Sequence, residues 1–450
     1  MLDAQTSAGS EARRRRVRRI VGRVGYAVVA LLLIGWELQE GHVYQSESCD
    51  LKTSAPSESV LMTPLYSRVL AFAKLKDSQQ VSMVAIESGL DQIQANVCPA
   101  RAFTADLLQA IAAQQPAVIA IDKFYGKGSC APDDPDTAKL LATIAALKVP
   151  VVVGASTHSS EQSNTSSCLV LTQQLFTPVA GGNGSTAQAG GAVVHTGLTR
   201  LNEDPLKIPL VWQVFAKDGD KQVASDRSGE SFALVTTQLT NPALTKTKRF
   251  QKLIGSPQQP YADVTDSLEK QTATNLLCTA GAPDAVKHWG LNCAGTKQFD
   301  LKDKIVVVGA ESSADSYSVT GHEMYGFDLQ AHYVAALLGG AYLRDISAAW
   351  LLVPLALYYC IAELLLPYMQ IHKHPVRPLW HVKHAIVWEL GLFCLTMLIA
   401  FFVPLLFHRF PPVAIMLVMM AIFVPRILIE SWALLNEGLE EKEAEKELSS

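Results

Sequence analysis

Four apolar segments near the two ends of the chain constrain its fold more than any other feature. They cover residues 20–36, 347–366, 385–407 and 413–434. Each is close to the length that an α-helix needs to cross the hydrocarbon layer of a bilayer. The sequence therefore predicts a multi-pass membrane protein with four transmembrane helices and one long segment between the first two.

Basic residues beside these segments predict their orientation. Arginines crowd residues 13–19, and the loop at 367–384 is rich in lysine, arginine and histidine. Such residues are retained on the cytoplasmic side. We therefore expect a bacterial inner-membrane protein with a large periplasmic domain. The predicted order is a cytoplasmic N-terminus (1–19), the first helix, the periplasmic domain (37–346), the second helix, the cytoplasmic loop (367–384), the third helix, an outer turn (408–412), the fourth helix and a cytoplasmic acidic tail (435–450).

The first apolar segment also fits a secretory signal peptide, because a basic stretch precedes an apolar run. The sequence LIGWELQEGH that ends it offers no small-x-small cleavage motif. This favours an uncleaved signal anchor, while cleavage stays open as the alternative. Cleavage would still leave three transmembrane helices.

Charge and cysteine content narrow the function further. A net charge of -4 over 450 residues gives no reason to expect a nucleic-acid partner. Six of the eight cysteines fall in the predicted periplasmic domain, where disulfides form. The pairing is open, although Cys278 with Cys293 is favoured because they enclose a short loop around Pro283. No cysteine or histidine spacing indicates a metal site, and no cofactor is expected. The six cysteines are Cys49, Cys98, Cys130, Cys168, Cys278 and Cys293.

The periplasmic segment reads as an α/β domain with a mainly parallel central sheet. Apolar strand patterns alternate with helical patterns, and nearly continuous apolar strands are typical of a parallel sheet covered on both faces. The region between residues 157 and 275 is polar and poorly periodic, so we expect loops, edge strands and an insertion there. The predicted strands are 81–87, 117–122, 149–156 and 304–310, and the predicted helices are 104–114 with Thr104 as N-cap, 134–148, and 326–342 leading directly into the second apolar segment.

The order of motifs resembles a known family. VAIE lies near the start of the domain and PAVIAIDKFY follows a helix; LKDKIVVVGAESSAD and GFDLQAHYVAALL come late, before three apolar segments. This order over residues 40–434 resembles the bacterial CHASE family, class two (cyclases/histidine kinases associated sensory extracellular). The resemblance implies a periplasmic sensory domain. The tail 435–450 leaves no room for an output domain, which indicates a stand-alone form.

The resemblance also points to particular residues. In that family an acidic residue ends the first strand and the second, which here are Glu87 and Asp122. An aspartate follows the late glycine turn, here Asp315, and a histidine lies in the last helix, here His332. The family's middle Asp-Gly turn is replaced here by residues 202–205.

Strand position supports a ligand site at these acidic residues. Carboxyl ends of parallel strands border the crevice where α/β sheets bind ligands, so Glu87, Asp122 and Asp315 are candidate pocket residues for a cation. Asp91, Arg101 and Lys123 are expected to lie near these candidate pocket residues. The alternative is that these carboxylates cap helices. His332 is a candidate ligand or pH-sensing residue because its helix leads toward the membrane, and a structural role is its alternative.

The glycine turn in KIVVVGAESSAD resembles a nucleotide-binding turn, but the sequence contains neither GxGxxG nor GxxxxGK[ST]. No catalytic residue is predicted, since no nucleophile motif is present and the serines beside Asp315 have no placed histidine. In the membrane segments, Glu363 and Glu389 are candidates for polar contacts with a partner's helices. Pairing with basic residues of the 367–384 loop is the alternative.

These observations predict a receptor-like membrane sensor that is not an enzyme. Its periplasmic domain would detect a ligand or an envelope partner and signal through its transmembrane helices. The signal would pass to a separate membrane or envelope protein, to a second copy of the chain, or to both. The alternative is a scaffold subunit of a multiprotein envelope complex with no small-molecule ligand.

Overall fold

The computed structural model describes residues between 56 and 424, with gaps at 74, 76–77, 91–92, 94–95, 127–128, 132, 164–165, 172–174, 177–185, 190–191, 203, 214–215, 219–220, 224–227, 255–258, 265–267, 320–321, 347–349, 351–352, 355, 359–360, 362–377, 412, 414–415, 418–419 and 422–423. The first apolar segment, Asp91, Cys49, Glu363 and the 435–450 tail lie outside the described residues, as do the side chains of Cys168 and Glu389.

The chain divides into two compact units, Tyr44–Arg344 and Met1–Val43 together with Asp345–Ser450. The first unit is the α/β domain. Its strands are β1 (Val81–Ile86), β2 (Val118–Ile121), β3 (Val151–Ala155), β4 (Thr157–Ser163), β5 (Ser166–Leu171), β6 (Thr186–Ala189), β7 (Ala192–Leu198), β8 (Val211–Gln213), β9 (Ala216–Asp218), β10 (Lys221–Val223), β11 (Ser228–Glu230), β12 (Tyr261–Ala262), β13 (Glu269–Thr272), β14 (Ile305–Ala310), β15 (Ser316–Val319), β16 (His322–Tyr325) and β17 (Tyr342–Asp345).

The helices of this unit are α1 (Pro56–Ala73), α2 (Val97–Ala113), α3 (Pro135–Ala146), α4 (Phe232–Thr240), α5 (Pro242–Thr245), α6 (Lys248–Ile254), α7 (Ala273–Thr279), α8 (Pro283–Trp289) and α9 (Gly326–Gly339). The second unit contains α10 (Pro378–Leu406) and the two-residue strand β18 (Arg409–Phe410).

A seven-stranded sheet organises the α/β domain. Its spatial order is β13-β1-β14-β2-β3-β7-β6, and every pair is parallel except β6 with β7. The predicted mainly parallel sheet is therefore confirmed. All residues of β1, β2 and β3 are buried, as expected for strands covered on both faces.

Helices cover both faces of this sheet. On one face, Val84, Ile121 and Val308 pack with Phe103 and Leu107 of α2 in a single apolar core. On the other face lie α4 and α9, and two glycines allow their close approach. A Cβ on Gly197 would lie 2.5 Å from the Cα of Phe232, and a Cβ on Gly309 would overlap the side chain of Phe327.

Replacing Gly309 by alanine should therefore destabilise the domain. The overlap falls on the Cβ and ring of Phe327, which is 1% exposed and has no space to move into. We expect a loss of about 3 kcal/mol in the free energy of unfolding, measured by urea unfolding of the full chain in detergent. Gly89→Ala is the matched control, because that Cβ would meet nothing within 4 Å. Equal stabilities of the two variants would contradict this packing.

Two helix boundaries differ from the sequence prediction. The predicted N-cap Thr104 lies inside α2, where its hydroxyl donates to the Ala100 carbonyl at 2.7 Å. The helix begins seven residues earlier because the apolar face continues to Ala100. The prediction that the last helix runs directly into the second apolar segment is also wrong. That helix, α9, ends at Gly339 with left-handed Gly340 (φ 66°), and β17 follows.

The polar middle of the domain contains more helix than its sequence pattern indicates. Helices α4 and α6 occupy part of the region predicted as loops and edge strands. Ser231 caps α4 by accepting a hydrogen bond from the Leu234 N–H at 3.2 Å. Six consecutive residues from Phe232 to Thr237 are buried, three of them polar or small, which hides the helical period.

The second unit contains α10, a 29-residue helix that overlaps the third predicted segment. Tyr358 and Phe393 pack edge to face in this unit, with ring centroids 5.8 Å apart. Within the part of the chain that the structure describes, no helix combines the length and apolar character needed to cross a membrane. The four transmembrane helices stay predictions.

Candidate functional site

Asp122 lies at the carboxyl edge of the sheet, beside its central strands. The four residues of β2 are buried, so the first polar side chain comes where the strand ends. The N–H of Asp122 donates to the Val308 carbonyl of β14 at 2.7 Å, which fixes the residue at this edge. Burial, and secondly the Asp315 carboxylate, raises the pKa of Asp122 to about 8. The carboxyl group therefore keeps its proton at neutral pH.

Asp315 reaches the same edge from β14. After Ala310 the chain forms a single 3-10 turn, Ser313–Asp315, and the Ser312 hydroxyl oxygen accepts a hydrogen bond from the Ala314 N–H at 3.3 Å. The Asp315 carboxylate accepts a hydrogen bond from the Tyr317 hydroxyl, which partly offsets the burial that raises the pKa of Asp315. Burial, followed by Asp315, raises the pKa of Tyr317 to about 12.

The Asp315 carboxylate also lies against the first residue of α9. A Cβ on Gly326 would sit 2.8 Å from both the Cγ and the Oδ1 of Asp315. Only glycine allows this approach. Negative charge is favourable at a helix N-terminus, which stabilises this position of the carboxylate. The contact joins the carboxyl edge of the sheet to the start of α9.

Arg200 brings a positive charge to the same place. It follows β7, and its guanidinium carbon lies 5.6 Å from the ring centroid of Trp212. Arg200 lowers the pKa of Tyr317 against the larger opposing effects of burial and the two carboxylates, so its charge lies near that hydroxyl. We call Asp122, Asp315, Tyr317 and Arg200 the carboxyl-edge cluster.

Two polar residues of α9 hold the segment around Arg200. The Gln330 Nε2 donates to the Thr199 carbonyl at 3.0 Å, and the Tyr333 hydroxyl donates to the Pro205 carbonyl at 2.7 Å. Gln330 and Tyr333 are both fully buried. Burial, then Asp204 and Tyr317, raises the pKa of the Tyr333 hydroxyl, which places Tyr333 beside the cluster.

A second ion-pair group ties the start of α9 to the edge of the sheet. Lys270 of β13 contacts Glu311 at 2.9 Å and Asp328 at 3.2 Å. Asp328 also accepts a hydrogen bond from the N–H of Tyr325, the N-cap residue of α9. The first turn of α9 is therefore anchored on one side by Lys270 and faces Asp315 at Gly326.

Glu87 has a different role from Asp122 and Asp315. Its carboxylate oxygens accept from the Thr274 N–H at 3.3 and 3.4 Å, in the first turn of α7. This is the helix-capping alternative that the sequence left open. The structure thus brings Asp122 and Asp315 together and directs Glu87 to α7.

Changing Glu87 to glutamine should weaken this cap. The amide keeps one oxygen for the Thr274 N–H but loses the charge that interacts with the helix dipole. We expect a loss of about 1 kcal/mol and faster hydrogen exchange at the start of α7, with the rest of the domain unchanged. Glu323→Gln, at an exposed position on β16, should show neither effect. Unchanged exchange in α7 would contradict the capping role.

Lys123 directly follows Asp122 in the chain and lies near the charge of Arg101, a residue of α2. Arg101 is buried and donates to the Thr137 hydroxyl at 2.6 Å and to the Gly126 carbonyl at 2.8 Å. Burial, and secondly the Arg101 charge, lowers the pKa of Lys123 to about 8. These contacts join α2, α3 and the segment after β2.

His332 is buried in the middle of α9, 3% exposed. It lies six residues beyond Gly326, about 9 Å along the helix axis. Its predicted role in ligand binding or pH sensing stays a prediction.

Two disulfides are present among the described residues. Cys278 is bonded to Cys293, the pairing that the short loop favoured, and Cys98 is bonded to Cys130, a pairing that the sequence left open. Asp134 lies close to the second disulfide, and these three residues are the only described group with metal-ligand proximity. Because both sulfurs are in a disulfide, they are not free thiolates for a metal. A shallow cleft of about 550 Å³ beside the Cys278–Cys293 bond shares no residue with the carboxyl-edge cluster.

Sequence reasoning did not identify Tyr317, Arg200 or Gln330. The strand motif SYSV was hidden in a stretch without apolar alternation, and Arg200 follows a strand in the poorly periodic middle. Residues 195–200, HTGLTR, contain a usable signal. A short run of small and apolar residues ends there in a charged residue, as it does at the ends of other strands.

Comparison with known families gives one match. The family model of the CHASE2 domain matches residues 57–369, well over half of the chain. Searches of curated proteins and of solved structures found no significant match.

Proposed function

The chain belongs to the CHASE2 family of extracellular sensory domains, and we propose that it is an inner-membrane receptor whose periplasmic domain binds its ligand at the carboxyl-edge cluster. The observation that carries this proposal is the contact of Asp315 with Gly326. Through it, a group that binds at the edge of the sheet touches the first residue of α9. Groups with perturbed pKa values in one place are typical of functional sites.

Transmission follows from the order of the chain. Helix α9 is followed by β17, which ends at Asp345, immediately before the second apolar segment. A ligand that contacts Asp315 can shift α9 from one arrangement to another only if it binds the two arrangements with different affinities. In this proposal the four apolar segments cross the membrane, the domain faces the periplasm, and the signal goes to a separate protein or a second copy. The cluster binds and does not catalyse.

A thermal-shift screen of the full chain in detergent micelles tests this proposal. Small molecules and ions of positive, negative and neutral charge are tested on the native chain and on Asp315→Asn. We expect at least one compound to raise the Tm of the native chain in a saturable way and to lose that effect in the variant. Asp300→Asn, which changes an exposed carboxylate, is the control and should behave as the native chain does.

If no small molecule stabilises the native chain while a protein partner co-purifies with it in constant ratio, the receptor proposal fails. That result would favour the scaffold alternative. Labelling of introduced cysteines in 367–384 and 408–412 with a membrane-impermeant reagent tests the topology. Only the second position should react in intact spheroplasts.

A further inference from the structure

The carboxyl-edge cluster brings two carboxyl groups together at the end of the sheet. Asp122 and Asp315 interact with each other, and the Tyr317 hydroxyl donates to the Asp315 carboxylate. The Tyr333 hydroxyl is already used by the Pro205 carbonyl at 2.7 Å. When both carboxyl groups are ionised, they suit a ligand that donates hydrogen bonds.

Gln330 adds an independent acceptor. It is fully buried, its Nε2 donates to the Thr199 carbonyl, and its Oε1 has no hydrogen-bond partner. The carbonyl of Thr199 can only accept, so the amide orientation is fixed and the oxygen is the end that is left over. A buried amide oxygen without a donor costs about 1–3 kcal/mol unless something satisfies it.

The position of Gln330 on α9 directs it toward the cluster. Gly326, Gln330 and Tyr333 are related as i, i+4 and i+7, so they share one face of the helix. Gly326 lies under the Asp315 carboxylate, and the Tyr333 hydroxyl lies close enough to Tyr317 for their charges to interact. Gln330 is therefore flanked along this face by two residues that both face the cluster.

We propose that the cluster binds a primary ammonium group, with Asp122, Asp315 and the Gln330 Oε1 accepting its three N–H donors. This deepens the proposed function and rests on it, because it names the ligand class of the same site. An ammonium group carries three donors and one positive charge, which matches two carboxyl groups and one amide oxygen. A calcium ion needs six to eight oxygen ligands, whereas these three side chains carry five oxygen atoms in all.

Proton release follows from this arrangement. In the free site burial raises the pKa of Asp122, so its carboxyl group is protonated at neutral pH. A bound ammonium favours the carboxylate and displaces that proton. Binding at pH 7 should release close to one proton. In titration calorimetry, the heat of binding should therefore change with the ionisation enthalpy of the buffer.

The test uses the full chain in detergent micelles, with n-butylamine as the probe and 1-butanol as its neutral isostere. We expect millimolar butylamine to raise the Tm saturably, with proton release, and 1-butanol to have no saturable effect. Gln330→Leu and Asp122→Asn should each weaken butylamine binding at least about tenfold, because each removes one acceptor. Asp300→Asn should leave it unchanged.

Four results would overturn the ammonium proposal: no saturable effect of butylamine, an equal effect of 1-butanol, unchanged binding in both cluster variants, or stabilisation by calcium chloride in place of butylamine. If butylamine fails while an anionic or neutral compound stabilises the native chain and not Asp315→Asn, the ammonium proposal is wrong and the receptor proposal stands.

Discussion

Replacing Asp122 by asparagine should make the chain more stable at pH 8 and leave its stability unchanged near pH 4. The reason is the pKa of Asp122, which burial raises from an ordinary value of 3.8 to about 8 in the folded chain. Between these values the unfolded chain has lost its proton and the folded chain has kept it. The folded state therefore binds more protons, and stability falls as pH rises through this range.

The size of this effect follows from the two pKa values. The difference between the two pKa values corresponds to about 6 kcal/mol of stability. All of it is lost at pH values well above 8, and none of it is lost below pH 4. Asparagine cannot ionise, so the variant should lack this part of the pH dependence. The groups that interact with Asp122, namely Asp315 and Tyr317, stay in place in both chains.

Urea unfolding of the native chain and the variant, from pH 4 to pH 8.5 in the same detergent, measures this effect. The difference between the two free energies should grow with pH and favour the variant. Asp300→Asn, at an exposed carboxylate, should follow the native curve at every pH. If the variant is no more stable than the native chain at pH 8, Asp122 ionises normally.

Removing the Cys98–Cys130 disulfide should cause the next largest effect, which is a loss of stability. The bond closes a loop of 32 residues between the start of α2 and the segment before α3. In the chain-entropy model, a cross-link over that distance contributes about 4 kcal/mol by restricting the unfolded chain. The double variant Cys98→Ser with Cys130→Ser should lose that amount in oxidising buffer.

The second disulfide provides a matched comparison. Cys278 and Cys293 are separated by 15 residues, so their removal should cost about 3 kcal/mol, less than removal of the first pair. Adding a reductant to the native chain should lower its stability to that of a variant lacking both bonds. If the Cys98–Cys130 variant lies within about 1 kcal/mol of the native chain, the unfolded chain is already restricted in that loop.

The sequence predicted the central sheet because the relevant signal is local. In β1, β2, β3 and β14 nearly every residue is apolar, and such runs are stable only when both faces of the sheet are covered. Their order with helices between them is enough to indicate parallel pairing. The edge strand β13 gave no such signal, since Glu269, Lys270 and Gln271 are polar and only pairing with β1 makes them a strand.

The candidate site could be predicted only in part. The position of an acidic residue after each strand follows from the sequence, and Glu87, Asp122 and Asp315 all qualify. Which of them converge depends on where each side chain is directed. Glu87 has the Thr274 N–H within reach, whereas Asp315 passes over Gly326 toward Asp122.

The sequence by itself determined the α/β class, the family and the strand ends at which polar residues occur, because periodicity and motif order are properties of neighbouring residues. The tertiary structure alone decided that residues from three distant segments form the carboxyl-edge cluster. Asp122, Arg200, Asp315 and Tyr317 come together only through sheet order and the close approach of α9, which depends on the absence of side chains at Gly309 and Gly326. Contacts of this kind arise between segments far apart in the chain, and no local pattern encodes them.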